Sequence, residues 1–154
     1  FNVILCNTDA NPSQEKDYID ILLSRQVDGL IITSARSSGD LYLYARENCP
    51  IVLVNRDPFP GKFDFVGIDN ISSAKMAVDH LIKLGHKRIA FIEGEPASPA
   101  SFGRYEGYKE ALKEAGLSPL KNYVRVGYLR YDGGYDAMSS FLKETHPPTA
   151  VFCG

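Results

Sequence analysis

The feature that most constrains the fold of this sequence is a regular alternation of short apolar runs with longer amphipathic stretches. Short apolar runs favour buried strands, and apolar residues spaced three and four apart favour helices. Strands that alternate with helices of about 10–15 residues are typical of βαβ units. The strands are apolar along their whole length, as expected where both faces of a sheet are covered. The sequence therefore predicts an α/β fold with parallel sheets.

The predicted strands span Asn2–Cys6, Val27–Ile32, Ile51–Val54, Asp64–Ile68, Arg88–Ile92, Val124–Tyr128 and Ala150–Cys153. Two helices are predicted at Pro12–Ser24 and at about Asp40–Glu47. Three further helices are indicated by apolar stripes over Ala74–Ile82, Tyr105–Ala115 and Met138–Leu142. Asn11 and Pro12 suit the cap and first position of a helix. Asn70 or Ser72 is expected to cap the helix that opens the second half.

The alternation divides into two lobes near Asp69–Asn70, where the strand after a long polar loop leads into the next helix. The predicted lobes are residues 1–70 and 71–154. The chain begins without Met in one apolar run and ends just after another. We therefore expect a fragment that is cut within a domain at both ends.

Composition excludes several classes of protein. A net charge of −2 argues against a nucleic-acid surface on this segment, because such a surface is usually basic. No apolar run approaches the roughly 20 residues of a membrane span, and no signal peptide is visible. The three cysteines are widely spaced without a CxxC motif, which favours reduced thiols in a cytosolic protein.

One short turn joins a helix directly to a strand in the second half. Gly85 can adopt the left-handed conformation that ends a helix. His86, Lys87 and Arg88 are expected to interact favourably with the carboxyl end of that helix. This explanation is structural and requires no function.

Polar residues follow the predicted strands, at the edge where parallel α/β sheets bind ligands. These residues are Asn7–Asp9, Thr33–Ser34, Asn55–Asp57, Asp69–Asn70, Glu93–Ser98 and Tyr128–Asp132. Hydroxyl, amide, carboxylate and guanidinium groups with aromatic rings nearby suit a small polyhydroxylated or charged molecule. Asn55–Arg56 is either a binding pair or the solvated start of a loop.

Arg104 is expected in the first turn of the helix that follows the Glu93–Ser98 loop. A cation there is slightly disfavoured by the helix dipole, which points to a ligand or a carboxylate partner. An exposed arginine is the simpler alternative. The spacing of Tyr105 and Tyr108 indicates core positions.

The sequence carries no common catalytic motif. GxGxxG after a strand, GxxxxGK[ST], GxSxG and HExxH are all missing. The histidines His80, His86 and His146 lack the spacing of metal ligands. We therefore expect no enzyme activity, no cofactor and no metal.

Several segments together resemble the effector-binding domain of the LacI/GalR (lactose-repressor) family of bacterial transcription regulators. They are Val27–Ile32, Pro50–Arg56, Val66–Asn70, His80–Ala90 with its LGHKRIA, Arg104–Tyr108 followed by Ala111–Leu112, and Pro148–Phe152. Their order and spacing agree with the family over essentially the whole chain.

The resemblance implies two doubly wound parallel-sheet lobes of the periplasmic-binding-protein-like type, hinged around a small effector, most often a sugar or a nucleobase-like molecule. It also implies that the first lobe lacks its first strand and helix, and that the second lobe is incomplete at its end. The full-length protein would be a cytoplasmic homodimer that binds operator DNA through a preceding helix-turn-helix. A periplasmic or transport-associated sugar-binding protein is the alternative.

The resemblance also implies site residues. Arg104 and Asn55 match family positions that commonly contact the effector, and Arg56 matches the arginine that follows Asn55. Asp69 matches the aspartate at the crossover into the second lobe. After the strand Val124–Tyr128, the family often has an aromatic residue that stacks on the ligand, and this chain has Leu129 there. Tyr128 or Tyr131 is expected to take that role.

Overall fold

The computed structural model describes residues 2–9, 11–33, 49–55, 57, 60–96 and 98–154. They form two compact units, Phe1–Gly67 and Ile68–Gly154. Each unit contains a three-stranded parallel sheet, so the predicted α/β fold is confirmed. The helix predicted at about Asp40–Glu47 lies outside the described residues. Every described helix is too short or too polar to cross a membrane.

The first unit contains helix α1 (Pro12–Ser24) and strands β1 (Leu30–Ile32), β2 (Ile51–Val54) and β3 (Asp64–Val66), in the sheet order β1-β2-β3. The side chain of Asn11 accepts a hydrogen bond from the N–H of Ser13 at 2.9 Å, and Pro12 opens α1 as predicted. Ile19 of α1 packs against Leu30 and Leu53 in a buried cluster. The helix is present as predicted, but Ile21 of the predicted apolar stripe is 47% exposed, and Ile19 with Leu22 and Leu23 faces the cluster instead.

Two predictions for the first unit are wrong. Asn2–Cys6 forms no strand, and Val3 and Leu5 are 91% and 93% exposed. An apolar run becomes a strand only when its backbone groups pair with a neighbour, and none of the ladders among the described residues includes this segment. Strand β1 begins at Leu30 and not at Val27 as predicted. Its pairing with β2 starts where the Leu30 N–H donates to the Pro50 carbonyl.

The second unit contains α2 (Asn70–Lys83), β4 (Ile89–Glu93), α3 (Pro99–Glu114), a 3-10 turn (Lys121–Tyr123), β5 (Val124–Val126), α4 (Tyr131–Phe141) and β6 (Ala150–Cys153). Its sheet order is β5-β4-β6, and all pairs are parallel. The predicted helices and strands are therefore all present, with ends shifted by a few residues.

Strand β4 is the centre of the second unit, because both of its faces are covered. On one face Phe91 packs with Val78 and Tyr108, and its ring centroid lies 5.2 Å from that of Tyr108. On the other face Ile92 packs with Phe141. Tyr108 is fully buried as predicted, and its hydroxyl donates to the Ile89 carbonyl at 2.9 Å.

Helices α2 and α3 meet through two glycines of α3. A side-chain carbon on Gly107 would overlap the carbonyl oxygen of Ile71 and lie 3.0 Å from the Cβ of Ala74. A carbon on Gly103 would lie 3.0 Å from the Cβ of Asn70. The two helix backbones therefore approach closely only because these positions carry no side chain.

Asp69 caps α2, so the prediction of Asn70 or Ser72 as the cap is wrong. Oδ1 of Asp69 accepts from the N–H groups of Ile71 and Ser72 at 3.0 and 3.1 Å, and Oδ2 accepts from the Ser72 hydroxyl at 2.6 Å. These bonds, led by the Ser72 hydroxyl, lower the pKa of the Asp69 carboxyl. The prediction failed because all three neighbouring residues are good caps, and only backbone geometry selects one.

The turn after α2 is fixed by the segment that precedes β6. Gly85 has φ +92°, as predicted for the end of the helix. The His86 ring Nδ1 lies 3.0 Å from the Thr149 hydroxyl, and Arg88 Nε donates to the Pro147 carbonyl at 2.9 Å. The side chains of His86 and Arg88 therefore bond to the segment before β6, while the His86 N–H donates to the Leu81 carbonyl at the end of α2.

The Gly107→Ala variant should lower the free energy of unfolding by about 1–3 kcal/mol, the usual cost of overpacking. Gly134→Ala is the matched control, because Gly134 also lies within a helix but has open space around its Cβ position. It should raise stability by up to about 1 kcal/mol, since alanine favours helix over glycine. Urea denaturation measures both, and equal effects would contradict the role of the α2–α3 contact.

The Asp69 cap should make stability depend on pH in a defined direction. The pKa is lowered in the folded state, so the stabilisation is present above the unfolded pKa of about 4 and is lost as pH falls below it. The melting-temperature difference between the wild type and Asp69→Asn should therefore shrink on acidification. Ser72→Ala should weaken this dependence, and a pH-independent difference in all variants would argue against the cap.

Candidate ligand-binding site

The carboxyl ends of the strands in the second unit meet around Gly94. A side-chain carbon on Gly94 would lie 2.5 Å from Ser101 Oγ, 3.2 Å from the Gly154 carbonyl oxygen and 3.2 Å from Leu129 Cδ2. The end of β4, the end of β6, the loop after β5 and the start of α3 therefore share one small region. We call this region the carboxyl edge.

Arg104 contributes a guanidinium group close to the carboxyl edge. Its Cβ lies 3.5 Å from the Cβ position of Gly154. Its Nε donates to Asn70 Oδ1 at 2.9 Å, and neither Nη group has a hydrogen-bond partner among the described residues. Arg104 is the sixth residue of α3, so its predicted place in the first turn is wrong, because Pro99 starts the helix earlier.

Two serines are buried at the start of α3. Ser98 and Ser101 are 3% and 2% exposed. Ser98 is the N-cap residue, yet its side chain makes no capping hydrogen bond. The hydroxyls therefore lie beside a helix amino terminus, where unpaired N–H groups carry partial positive charge.

Glu93 ends β4 and adds a carboxyl group to the carboxyl edge. Its side chain is partly buried, and this burial raises the pKa of the Glu93 carboxyl. The edge therefore combines hydroxyls, a carboxyl group and a guanidinium, which can accept from and donate to the hydroxyls of a small molecule.

The loop after β5 is a tight turn with unusual backbone angles. Arg130 N–H donates to the Gly127 carbonyl at 3.0 Å, and the two central residues, Tyr128 and Leu129, both have φ +56°. Left-handed angles are uncommon for residues other than glycine and are concentrated at functional sites. The turn brings the Leu129 side chain next to the carboxyl edge, with 69% of it exposed.

The aromatic residues expected near the ligand have different positions. Tyr128 is 58% exposed in the same turn. Tyr131 opens α4 and is 90% exposed, and its ring stacks on that of Tyr135 with centroids 6.5 Å apart. Of the residues after β5, Leu129 is therefore the one that the structure places against Gly94.

The remaining predicted site residues lie at the ends of other elements. Asn55 follows β2 in the first unit, with φ +67°, an exposed side chain and an N–H that donates to the Val66 carbonyl. Arg56 lies outside the described residues. The carboxylate of Asp69 is engaged in capping α2.

The sequence places Asn70 both among the polar residues at the ligand-binding edge and among the possible helix caps, but it does not predict the contact of Asn70 with Arg104. No pattern in the sequence links these two residues, which are 34 positions apart. The described residues contain no group of His, Cys, Asp or Glu that could hold a metal ion.

Comparison with known proteins identifies the family. The model of periplasmic binding proteins and the sugar binding domain of the LacI family matches residues 1–154. The HTH-type transcriptional repressor PurR of Histophilus somni (strain 2336) is 34% identical over 155 residues, which cover 99% of this chain and 46% of the relative. The HTH-type transcriptional repressor CytR of Escherichia coli (strain K12) is 35% identical over 141 residues, which cover 91% of this chain and 41% of the relative. The chain thus spans about half the length of these curated relatives.

Solved structures agree with this assignment. The transcription regulator CcpA of Lactococcus lactis has a TM-score of 0.85 at 28% identity, and the match covers 99% of this chain and 56% of CcpA. The complex of the transcriptional regulator CelR with cellobiose has a TM-score of 0.76 at 31% identity, over 92% and 44% of the two chains. The predicted periplasmic-binding-protein-like fold and the lactose-repressor resemblance are both confirmed. The chain therefore belongs to the family of periplasmic binding proteins and LacI-type sugar-binding domains.

Proposed function

We propose that this chain is the effector-sensing core of a bacterial DNA-binding transcriptional regulator. In this proposal it binds a small molecule at the carboxyl edges of its sheets and thereby modulates operator binding. The ligand-binding residues are Asn55, Arg56, Asp69, Arg104, Tyr128 and Tyr131. The observation that carries the proposal is the guanidinium of Arg104, whose Nη groups are unpaired among the described residues beside the polar carboxyl edge.

The chemistry of the carboxyl edge favours a sugar. A sugar presents hydroxyls that an arginine fork, serine hydroxyls and a carboxyl group can bind. Leu129 lies against Gly94 and offers an aliphatic surface to a ligand at this edge. The similarity to a regulator solved with cellobiose supports the same class.

Regulation would follow from thermodynamic linkage. A ligand that binds one conformation more tightly shifts the equilibrium toward it, and DNA affinity changes if the conformations differ in DNA binding. DNA contact is assigned to an N-terminal helix-turn-helix of the full-length protein, in line with the HTH-type names of the curated relatives. The full-length protein would be a cytoplasmic homodimer without enzyme activity.

The comparisons favour the regulator over the periplasmic alternative. The family model includes periplasmic binding proteins, but the curated relatives named above are HTH-type transcriptional repressors. The LGHKRIA segment has a structural explanation in the turn after α2. The choice of a regulator over a periplasmic protein therefore does not depend on this segment.

Arg104→Ala should weaken binding of a sugar effector by about tenfold to a hundredfold, because a charge-assisted hydrogen bond contributes roughly 1.5–3 kcal/mol. Stability should change far less, since partly exposed substitutions usually cost little. Arg88→Ala is the matched control, because it also removes one Nε hydrogen bond in the second unit, to the Pro147 carbonyl. Titration calorimetry and thermal melts measure both variants. Equal affinities for the wild type and Arg104→Ala would contradict the assigned role.

A ligand panel tests the class of effector. Cellobiose, D-glucose and D-ribose are compared with hypoxanthine and cytidine by thermal shift. A true effector at about 100 times its Kd should stabilise the protein by about 2.7 kcal/mol. We expect the shift with a sugar, and a shift confined to hypoxanthine or cytidine would overturn the sugar assignment while leaving the regulator assignment intact.

A further inference from the structure

Asn70 holds the guanidinium of Arg104 from a different helix. Its Oδ1 accepts from Arg104 Nε at 2.9 Å, and both Nη groups stay unpaired within the described part of the chain. We propose that Asn70 is a positioning residue, whose amide oxygen fixes the orientation of this guanidinium and leaves both Nη groups for the effector. The inference rests on the proposed function, in which Arg104 contacts the effector.

The structure fixes Asn70 itself in three ways. It is the first residue of α2, directly after the Asp69 cap, so its backbone is held by the helix. The missing side chain of Gly103 lets α3 approach the Asn70 Cβ closely. Its Nδ2 lies 3.4 Å from the Ile68 carbonyl, which favours the amide orientation that turns Oδ1 toward Arg104. An acceptor fixed in this way can restrict a long and otherwise flexible side chain.

The type of acceptor matters as much as its position. A carboxylate tends to bind arginine through two nitrogens and offsets its charge. The neighbouring carboxylate, Asp69, uses both oxygens to cap α2 and bond to Ser72. The neutral amide of Asn70 accepts one hydrogen bond from Nε and leaves the positive charge uncompensated. Arg104 is therefore oriented without losing its capacity to bind an oxygen-rich ligand.

The first test observes Arg104 in the full chain without any ligand. The Nε–Hε resonance of Arg104 should be protected from solvent exchange in the wild type. Asn70→Ala should abolish this protection, whereas Asn70→Asp, which keeps an acceptor, should restore it. Asn122→Ala is the matched control, since Asn122 also bonds to a side chain of the second unit, Glu144. An unchanged resonance in Asn70→Ala would overturn the inference, whatever the ligand is.

The second test measures cellobiose binding in a double-mutant cycle. Asn70→Ala should weaken the affinity about fivefold in the wild-type background, which corresponds to one ordinary hydrogen bond. It should have no effect in the Arg104→Ala background, because the residue that it positions is then missing. Equal losses in both backgrounds would show an independent role for Asn70 and overturn the inference. If Arg104→Ala alone leaves cellobiose binding unchanged, the proposed contact of Arg104 fails, and the resonance of the first test still decides whether Asn70 orients it.

Discussion

The close contact between α2 and α3 is the constraint on which the carboxyl edge of the second unit depends. Gly103 and Gly107 let the two helix backbones approach, and this approach brings the first residue of α2 beside Arg104. The same contact covers one face of β4 through Val78 and Tyr108. Core packing and the placement of the guanidinium are therefore consequences of a single arrangement, and widening it would disturb both.

Two left-handed residues lie in the turn beside the carboxyl edge of the second unit. Tyr128 and Leu129 both have left-handed backbone angles, in a turn closed by the hydrogen bond from Arg130 to Gly127. Such angles cost energy for residues with side chains and persist only where the surroundings enforce them. Here the turn is tied to β4 through the hydrogen bond from Gly127 N–H to the Glu93 carbonyl, so the sheet supports a conformation that presents Leu129.

The sequence predicted the elements of the fold well, because periodicity and end signals are local. The bounds of α1 follow from Asn11, Pro12 and its apolar stripe, and they match the structure. Asn2–Cys6 was wrongly predicted as a strand, since pairing depends on distant residues. The contact of Asn70 with Arg104 was missed for the same reason: it joins two helices through their packing, and nothing near either residue specifies it.

The two edges of the second sheet differ in how their polar groups are used. At the amino edge, His86 contacts the Thr149 hydroxyl, and Arg88 and the Tyr123 hydroxyl donate to the carbonyls of Pro147 and His146. At the carboxyl edge, the Arg104 Nη groups have no partner among the described residues, and Ser98 makes no capping bond. The polar groups of the first edge therefore bond within the unit and align its strands, whereas the Arg104 Nη groups at the second edge stay available to an external molecule or water.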